Sequence, residues 1–213
     1  MSAEVSTDSP GNSRFITLEG VEGAGKSSQL PLIQSWLEKR GRSVITTREP
    51  GGTALAESIR SVLVDGEDMP PMSELLLMFA ARCSHLEDKI RPALDEGNWV
   101  ICDRFIDASY AYQGAGRGLG EDTVAKLEAM TLQGLQPDQV FIFDIPVQAG
   151  LERVATRGES NRFDVAGIDF MEKVRACYLQ RAAAAPGRYT VIDASQDMQA
   201  VTAQVQHALE KLL

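Results

Sequence analysis

Residues 20–28 read GVEGAGKSS. Gly20, Gly25, Lys26 and Ser27 fall on the spacing G-x-x-x-x-G-K-[ST] of a loop that wraps polyphosphate. The flanks give the motif its physical context. RFITLE (14–19) has the β-branched, apolar composition and the length of a strand. SSQLPLIQSWLEKRG (27–41) repeats apolar residues at helical spacing, and Gly41 suits its C-terminal stop. Between a strand and a helix, glycines let successive backbone N–H groups face phosphate oxygens. Lys26 then reaches the outer phosphates, Ser27 is positioned to ligate Mg²⁺, and the helix offers its positive end. The nucleotide-binding residues expected from this loop are Gly20, Glu22, Gly23, Ala24, Gly25, Lys26, Ser27 and Ser28. Glu22 is out of place among them, because a carboxylate repels phosphate.

Outward from the loop, strand-length apolar runs alternate with amphipathic stretches. Strands are expected at 43–47 (SVITT), 99–103 (WVICD), 139–145 (QVFIFDI) and 189–194 (YTVIDA). Helices are expected at 53–66, 73–97, 121–134, 147–157, from about 167 to 185, and at the end of the chain. Pro31 is expected in the first turn of its helix and Pro92 to kink the long one. This β-α alternation predicts an α/β fold with a five-stranded parallel sheet covered by helices on both faces, of the P-loop NTPase kind. Residues 1–13 are polar and are expected to form a disordered extension, with one domain over 14–213. The polar segment 157–167 is the candidate for a mobile lid.

The 213 residues carry a net charge of −9, from 21 basic and 30 acidic side chains. That balance argues against a nucleic-acid-binding protein. Arg outnumbers Lys by 15 to 6, which suits bidentate recognition of phosphate and equally suits a codon bias. Cys83, Cys102 and Cys177 form no C-x-x-C pair, which fits reduced thiols in the cytoplasm. No apolar run reaches membrane-spanning length, and the N-terminus lacks the apolar core of a signal peptide.

The strand ends bear on what accepts the phosphate. Arg48 ends the second strand, and Asp103 and Arg104 end the third. All emerge at the carboxyl edge, where open α/β sheets bind ligands. An ionised phosphomonoester acceptor needs positioning and charge neutralisation rather than a strong base. A chain whose only histidines are His85 and His207 fits that requirement, with both read as structural or surface residues. Asp144, closing FIFD, has two readings: a Mg²⁺-site strand end, or a cap for the following helix.

In order and spacing, EGVEGAGKSS, TREPGGT, LLLMFAAR, CDRFIDASYAYQGAGRGLG and FDIPVQAGLERVATRGESNRFD resemble bacterial thymidylate kinases over residues 14–213. The resemblance implies a nucleoside monophosphate kinase-like fold, transfer of the ATP γ-phosphate to dTMP, Mg²⁺ as cofactor, a closing lid and a homodimer. It implies that Arg48 and Arg104 grip the acceptor phosphate and that Lys26, Arg104 and Asp103 are catalytic, with Asp103 orienting Mg²⁺ through water. Arg82, Ser109 and Gln113 would read the base, and Tyr112 would crowd the sugar against a 2′-hydroxyl. Glu22 would face the acceptor's 3′-hydroxyl and the Mg²⁺ waters, so its charge would belong to the acceptor site. Phe79 is the nearest candidate to stack on the base. The family pattern, however, sets that aromatic residue four before the arginine, where this chain has Met78, about 100° away around a helix.

The loop's variable positions, Val21 to Ala24, contain no base. Relatives of this kind supply a catalytic arginine from the lid. Arg162 is the first candidate and Arg157 the second, with Arg153 nearer the adenine or the lid hinge. The alternatives are a kinase for another nucleoside monophosphate or a deoxynucleoside, or a GTP-binding switch. The switch would need an [NT]-K-x-D motif, and the chain has none. DVAG (164–167) matches D-x-x-G by letters only, because it follows no strand.

Overall fold

The structure is a computed structural model, and it describes residues 13–157 and 167–213. Residues 1–12 of the expected N-terminal extension and residues 158–166 of the expected lid lie outside the described residues. The first elements are β1 (Phe15–Glu19), α1 (Lys26–Glu38), β2 (Val44–Arg48), α2 (Ala54–Asp65) and α3 (Pro71–His85). A π-helical turn at Leu86–Ile90 leads into α4 (Arg91–Asp95), then β3 (Trp99–Asp103) and α5 (Ile106–Ser109). A second π-helical segment, Tyr110–Gly116, precedes α6 (Glu121–Leu132), β4 (Gln139–Asp144) and α7 (Val147–Arg157). The chain closes with α8 (Ile168–Ala184), β5 (Tyr189–Asp193) and α9 (Met198–Leu209).

All five strands are parallel, in the order β2-β3-β1-β4-β5. Side chains alternate between two cores, one on each face. Along β3, Trp99 and Ile101 enter one core and Val100 and Cys102 the other. Phe15 of β1 meets Phe105 edge-on in the second, with ring centroids 4.9 Å apart. Central strands buried on both faces explain the unbroken apolar runs in the sequence. Each fully buried Leu, Ile or Phe of those runs contributes about 1.5–3 kcal/mol. Register then sets the functional edge, because Leu18 pairs with Asp103 and Arg48 pairs with Asp103 on the other side.

One proline expectation is corrected. α1 begins at Lys26, so Pro31 falls in its second turn rather than its first, and the helix runs through it. At Pro92 the expected long helix is irregular: the preceding turn widens, and the Arg91 N–H donates to the carbonyl of Leu86, five residues back. The wider turn accommodates a ring that would collide with a carbonyl in α-helical geometry. The second π-helical segment, Tyr110–Gly116, was not anticipated.

Candidate active site

The glycine loop is shaped by close approach as well as by rotation. Gly23 has φ 76°, and a Cβ there would lie 2.1 Å from the carbonyl oxygen of Gly150 on α7. At Gly20 it would lie 2.4 Å from the carbonyl oxygen of Phe143. Any side chain at either position would push the loop off β4 and α7. The loop returns on itself through Lys26, whose Nζ donates to the carbonyls of Gly20 (2.9 Å) and Val21 (3.2 Å). Burial, and then the nearby Arg104 charge, push the Lys26 ammonium down to about 8, against the pull of Asp103, Glu22 and Glu19.

Beside the loop lies a cavity of about 220 Å³. Arg48, Arg60 and Arg104 line it together with Lys26 and Ser27. Arg104 stands at the first position after β3 with φ 68°, an uncommon conformation for a residue with a side chain. That turn aims its guanidinium back across the loop. Nη1 donates to the Gly20 carbonyl at 2.9 Å and to the Tyr178 hydroxyl at 3.3 Å, while Nη2 donates to Glu22 Oε1 at 2.7 Å. Burial alone would raise the Glu22 carboxyl, but Arg104 and then Lys26 outweigh it and hold it below its usual range. The Tyr112 hydroxyl also donates to Glu22, at 3.2 Å. Behind this group the buried Glu19 accepts from the Phe105 N–H (2.7 Å) and the Tyr178 hydroxyl (3.0 Å). Its carboxyl is pushed up by burial first and by Asp107 second.

Arg60, on α2, carried no signal in the sequence. It reaches the cavity because Nη1 donates to the Pro50 carbonyl, 2.9 Å away. Burial, then the charges of Arg48 and Arg104, lower its pKa. Like charges gathered in one cavity mark an anion site. Arg48 is held at its mouth by Glu57, 3.1 Å away.

The rest of the lining comes largely from α3, α5 and the second π-helical segment. Arg82 is 2% exposed. Its Nε donates to Glu49 Oε2 (2.7 Å), Nη1 to Ser109 Oγ (3.0 Å) and Nη2 to the Phe105 carbonyl (3.0 Å). Glu49 is braced in turn by His85, whose other ring nitrogen meets Thr47 Oγ1 at 2.7 Å. His85 is thus a buried structural residue, and His207 is exposed. Ser109, Tyr112 and Gln113 all line the cavity. Phe79 does not. It is packed into the core under the Arg82 guanidinium, 4.8 Å from the ring centroid, and Met78 lines the cavity instead. The phase of α3 decides this, since one residue along a helix turns a side chain by about 100°.

Ser27 Oγ donates to Asp103 Oδ2 at 3.2 Å. Asp103 Oδ1 is buried without a hydrogen-bond partner among the described residues. An unspent carboxylate oxygen beside the loop serine fits a Mg²⁺ held partly through its own water molecules, as that ion prefers. Asp144 takes neither of its expected parts. It forms a two-pronged ion pair with Arg175 of α8, at 2.7 and 3.0 Å, and lines neither cavity.

A second cavity, of about 380 Å³, opens on the other side of the loop. Gly23, Ala24, Gly25, Ser28 and Gln29 face it with Arg153, Gln196, Asp197 and Met198. Arg153 is anchored there by the Ala194 carbonyl at 3.0 Å. Arg157 ends α7, and Arg162 lies outside the described residues.

A glycine loop between two cavities, on a parallel sheet with an arginine-rich edge, defines a P-loop nucleoside monophosphate kinase fold. Comparison with known proteins narrows the class. The family model described as thymidylate kinase matches residues 18–205. The chain is 50% identical to a thymidylate kinase of Alcanivorax borkumensis over 201 residues, 93% of this chain and 97% of that one. It is 52% identical to one of Chromohalobacter salexigens over 204 residues, covering 93% and 96%. A crystal structure of thymidylate kinase from Ehrlichia chaffeensis superposes with a TM-score of 0.78 at 33% identity, covering 93% of this chain and 99% of that one. The chain belongs to the thymidylate kinase family.

Proposed function

We propose that this protein transfers the γ-phosphate of ATP to dTMP, giving dTDP. The observation that carries the reading is the lining of the cavity beside the loop, in which Arg48, Arg60 and Arg104 are near enough to interact and Arg82 bonds Ser109, with Gln113 also lining it. The first group suits a phosphomonoester and the second a polar base edge. The cavity across the loop, with Arg153, suits the donor's nucleoside.

In this reading the acceptor phosphate lies against Arg48, Arg60 and Arg104, already ionised and needing no base. Lys26 neutralises the donor's outer phosphates. Ser27, with Asp103 through water, would hold Mg²⁺, which when bound would supply positive charge to offset that of the phosphates. Glu22 accepts a hydrogen bond from the sugar's 3′-hydroxyl, and Tyr112 fills the space a 2′-hydroxyl would need. Met78, not Phe79, covers the base. Lid closure brings Arg162, or failing that Arg157, to the transferring phosphoryl group and excludes water.

The protein acts in the cytoplasm as a homodimer. Leu55 and Val62 on α2 and Met72 and Leu76 on α3 are 43–58% exposed on two helices packed side by side, which supports an apolar face for a second copy. Sedimentation would test this, with a monomer at micromolar concentration contradicting it. Among the described residues no helix is long and apolar enough to cross a membrane.

Coupled assays with ATP and a panel of dTMP, dUMP, dCMP, UMP and AMP, with and without Mg²⁺, test the activity. dTMP should give the highest kcat/KM and chelation of Mg²⁺ should abolish turnover. Preference for another acceptor would overturn the assignment.

A further inference from the structure

Gln113 brings a side-chain amide to the cavity beside the loop. Such an amide has a donor end and an acceptor end. Which end faces the cavity decides which base it can read. The partner that decides is outside the cavity. Glu74, on α3, is fully buried, and its Oε1 accepts from Gln113 Nε2 at 2.8 Å. Arg117 holds this carboxylate in place, with Nη2 3.1 Å from Oε2 and Nε 3.4 Å from Oε1. A carboxylate only accepts. Flipping the Gln113 amide would set its oxygen against a buried carboxylate oxygen, a repulsive contact that also leaves a donor unpaired. Gln113 Oε1 accepts from none of the described residues and is left for the cavity. Arg82 lines the same cavity and is a donor only, with three of its five N–H groups already spent on Glu49, Ser109 and Phe105.

The cavity therefore offers one fixed acceptor together with a set of donors. A 4-keto pyrimidine matches this, because its N3–H donates and its O4 accepts. A 4-amino pyrimidine inverts both atoms. We propose that Glu74 is the positioning residue that locks the Gln113 amide and so sets selection of 4-keto over 4-amino pyrimidine nucleotides. The proposal rests on the reading of this cavity as the dTMP site. It makes no distinction between thymine and uracil, which share both atoms.

The test is calorimetric binding of dTMP, dUMP and dCMP to the wild type and to Glu74→Gln, whose neutral amide tolerates either orientation of Gln113. The ratio of dCMP to dTMP dissociation constants should fall about ten-fold or more, through both weaker dTMP and tighter dCMP binding. The dUMP to dTMP ratio should stay constant. A purely structural Glu74 would weaken all three nucleotides together, and an unchanged dCMP to dTMP ratio overturns the proposal. Should the variant not fold, the wild type decides by NMR. One Gln113 Nε2 proton should be shifted downfield and slow to exchange, and two equivalent, rapidly exchanging protons overturn the proposal. A wild type that neither binds nor phosphorylates dTMP would instead sink the underlying reading.

Discussion

Arg104 combines an uncommon backbone conformation with three side-chain hydrogen bonds beside the glycine loop. Arg104→Ala and Arg104→Gly separate the two. Both remove the guanidinium, so both lose its contacts to the acceptor phosphate. Two charge-assisted hydrogen bonds are worth roughly 3–6 kcal/mol together, which predicts a fall in kcat/KM for dTMP of about 10²–10⁴. The backbone term distinguishes the variants. At φ 68° a residue with a Cβ is disfavoured by about 1–2 kcal/mol, whereas glycine adopts the conformation without strain. Glycine's extra freedom in the unfolded chain returns about 0.4–1 kcal/mol of that. The glycine variant should therefore be about 0.5–1 kcal/mol more stable than the alanine variant, or roughly 1–4 °C in Tm for a chain of this size. Steady-state assays of ADP release and thermal melts, run on both proteins, measure the two quantities. Activity within about ten-fold of wild type in either variant would refute the phosphate contact. An alanine variant as stable as the glycine variant would refute the strain.

Met78→Ala should raise KM for dTMP by up to about 10-fold, since the proposed burial of the rest of a half-buried Met against the base is worth roughly 1.5 kcal/mol or less. Phe79→Leu should lower stability with KM nearly unchanged, and the reverse pattern would return the stacking role to Phe79. With Lys26 pushed down to about 8, contact with the ATP phosphates favours its protonated form. ATP binding should thus take up protons above pH 8, and affinity should fall as pH rises from there; calorimetry in two buffers at pH 8.5 would contradict this by finding no uptake or proton release. Glu19 titrates upward in the folded state, to about 8 from 4.5. The folded protein therefore binds more protons than the unfolded chain between those values, and stability should decline across that window as pH rises. Glu19→Gln should flatten the decline in denaturant melts, and an unaltered slope would remove Glu19 as its source. Arg162→Ala should cut kcat by orders of magnitude with dTMP binding nearly intact, and an effect on ATP affinity alone would assign the catalytic part elsewhere.

The parts legible in the sequence are those set by short-range physics. The glycine spacing encodes a backbone path, and the apolar runs encode strands buried on both faces. Strand ends then place Arg48, Asp103 and Arg104 at one edge. What escaped depends on packing between distant segments. Arg60 enters the cavity only because α2 folds back over Pro50. Asp144 could be read as a cap or as a Mg²⁺-site residue because its partner, Arg175, is 31 positions away. Glu74 looks like an ordinary acidic residue in a first helical turn until Gln113 and Arg117 arrive from a π-helical segment and its exit. That segment has no local signature, since its widened turn is stabilised by packing against α8. Between Met78 and Phe79 the choice was one of helix phase, which periodicity fixes no better than the neighbouring residue.

The most direct test of the central claim is a crystal structure with dTMP bound. The 5′-phosphate should lie among Arg48, Arg60 and Arg104, the 3′-hydroxyl should meet Glu22, and the base should lie on Met78 with its N3 and O4 edge toward Gln113 and Arg82. A nucleotide bound only in the cavity beside Arg153, or turned with its base among the three arginines, would contradict it.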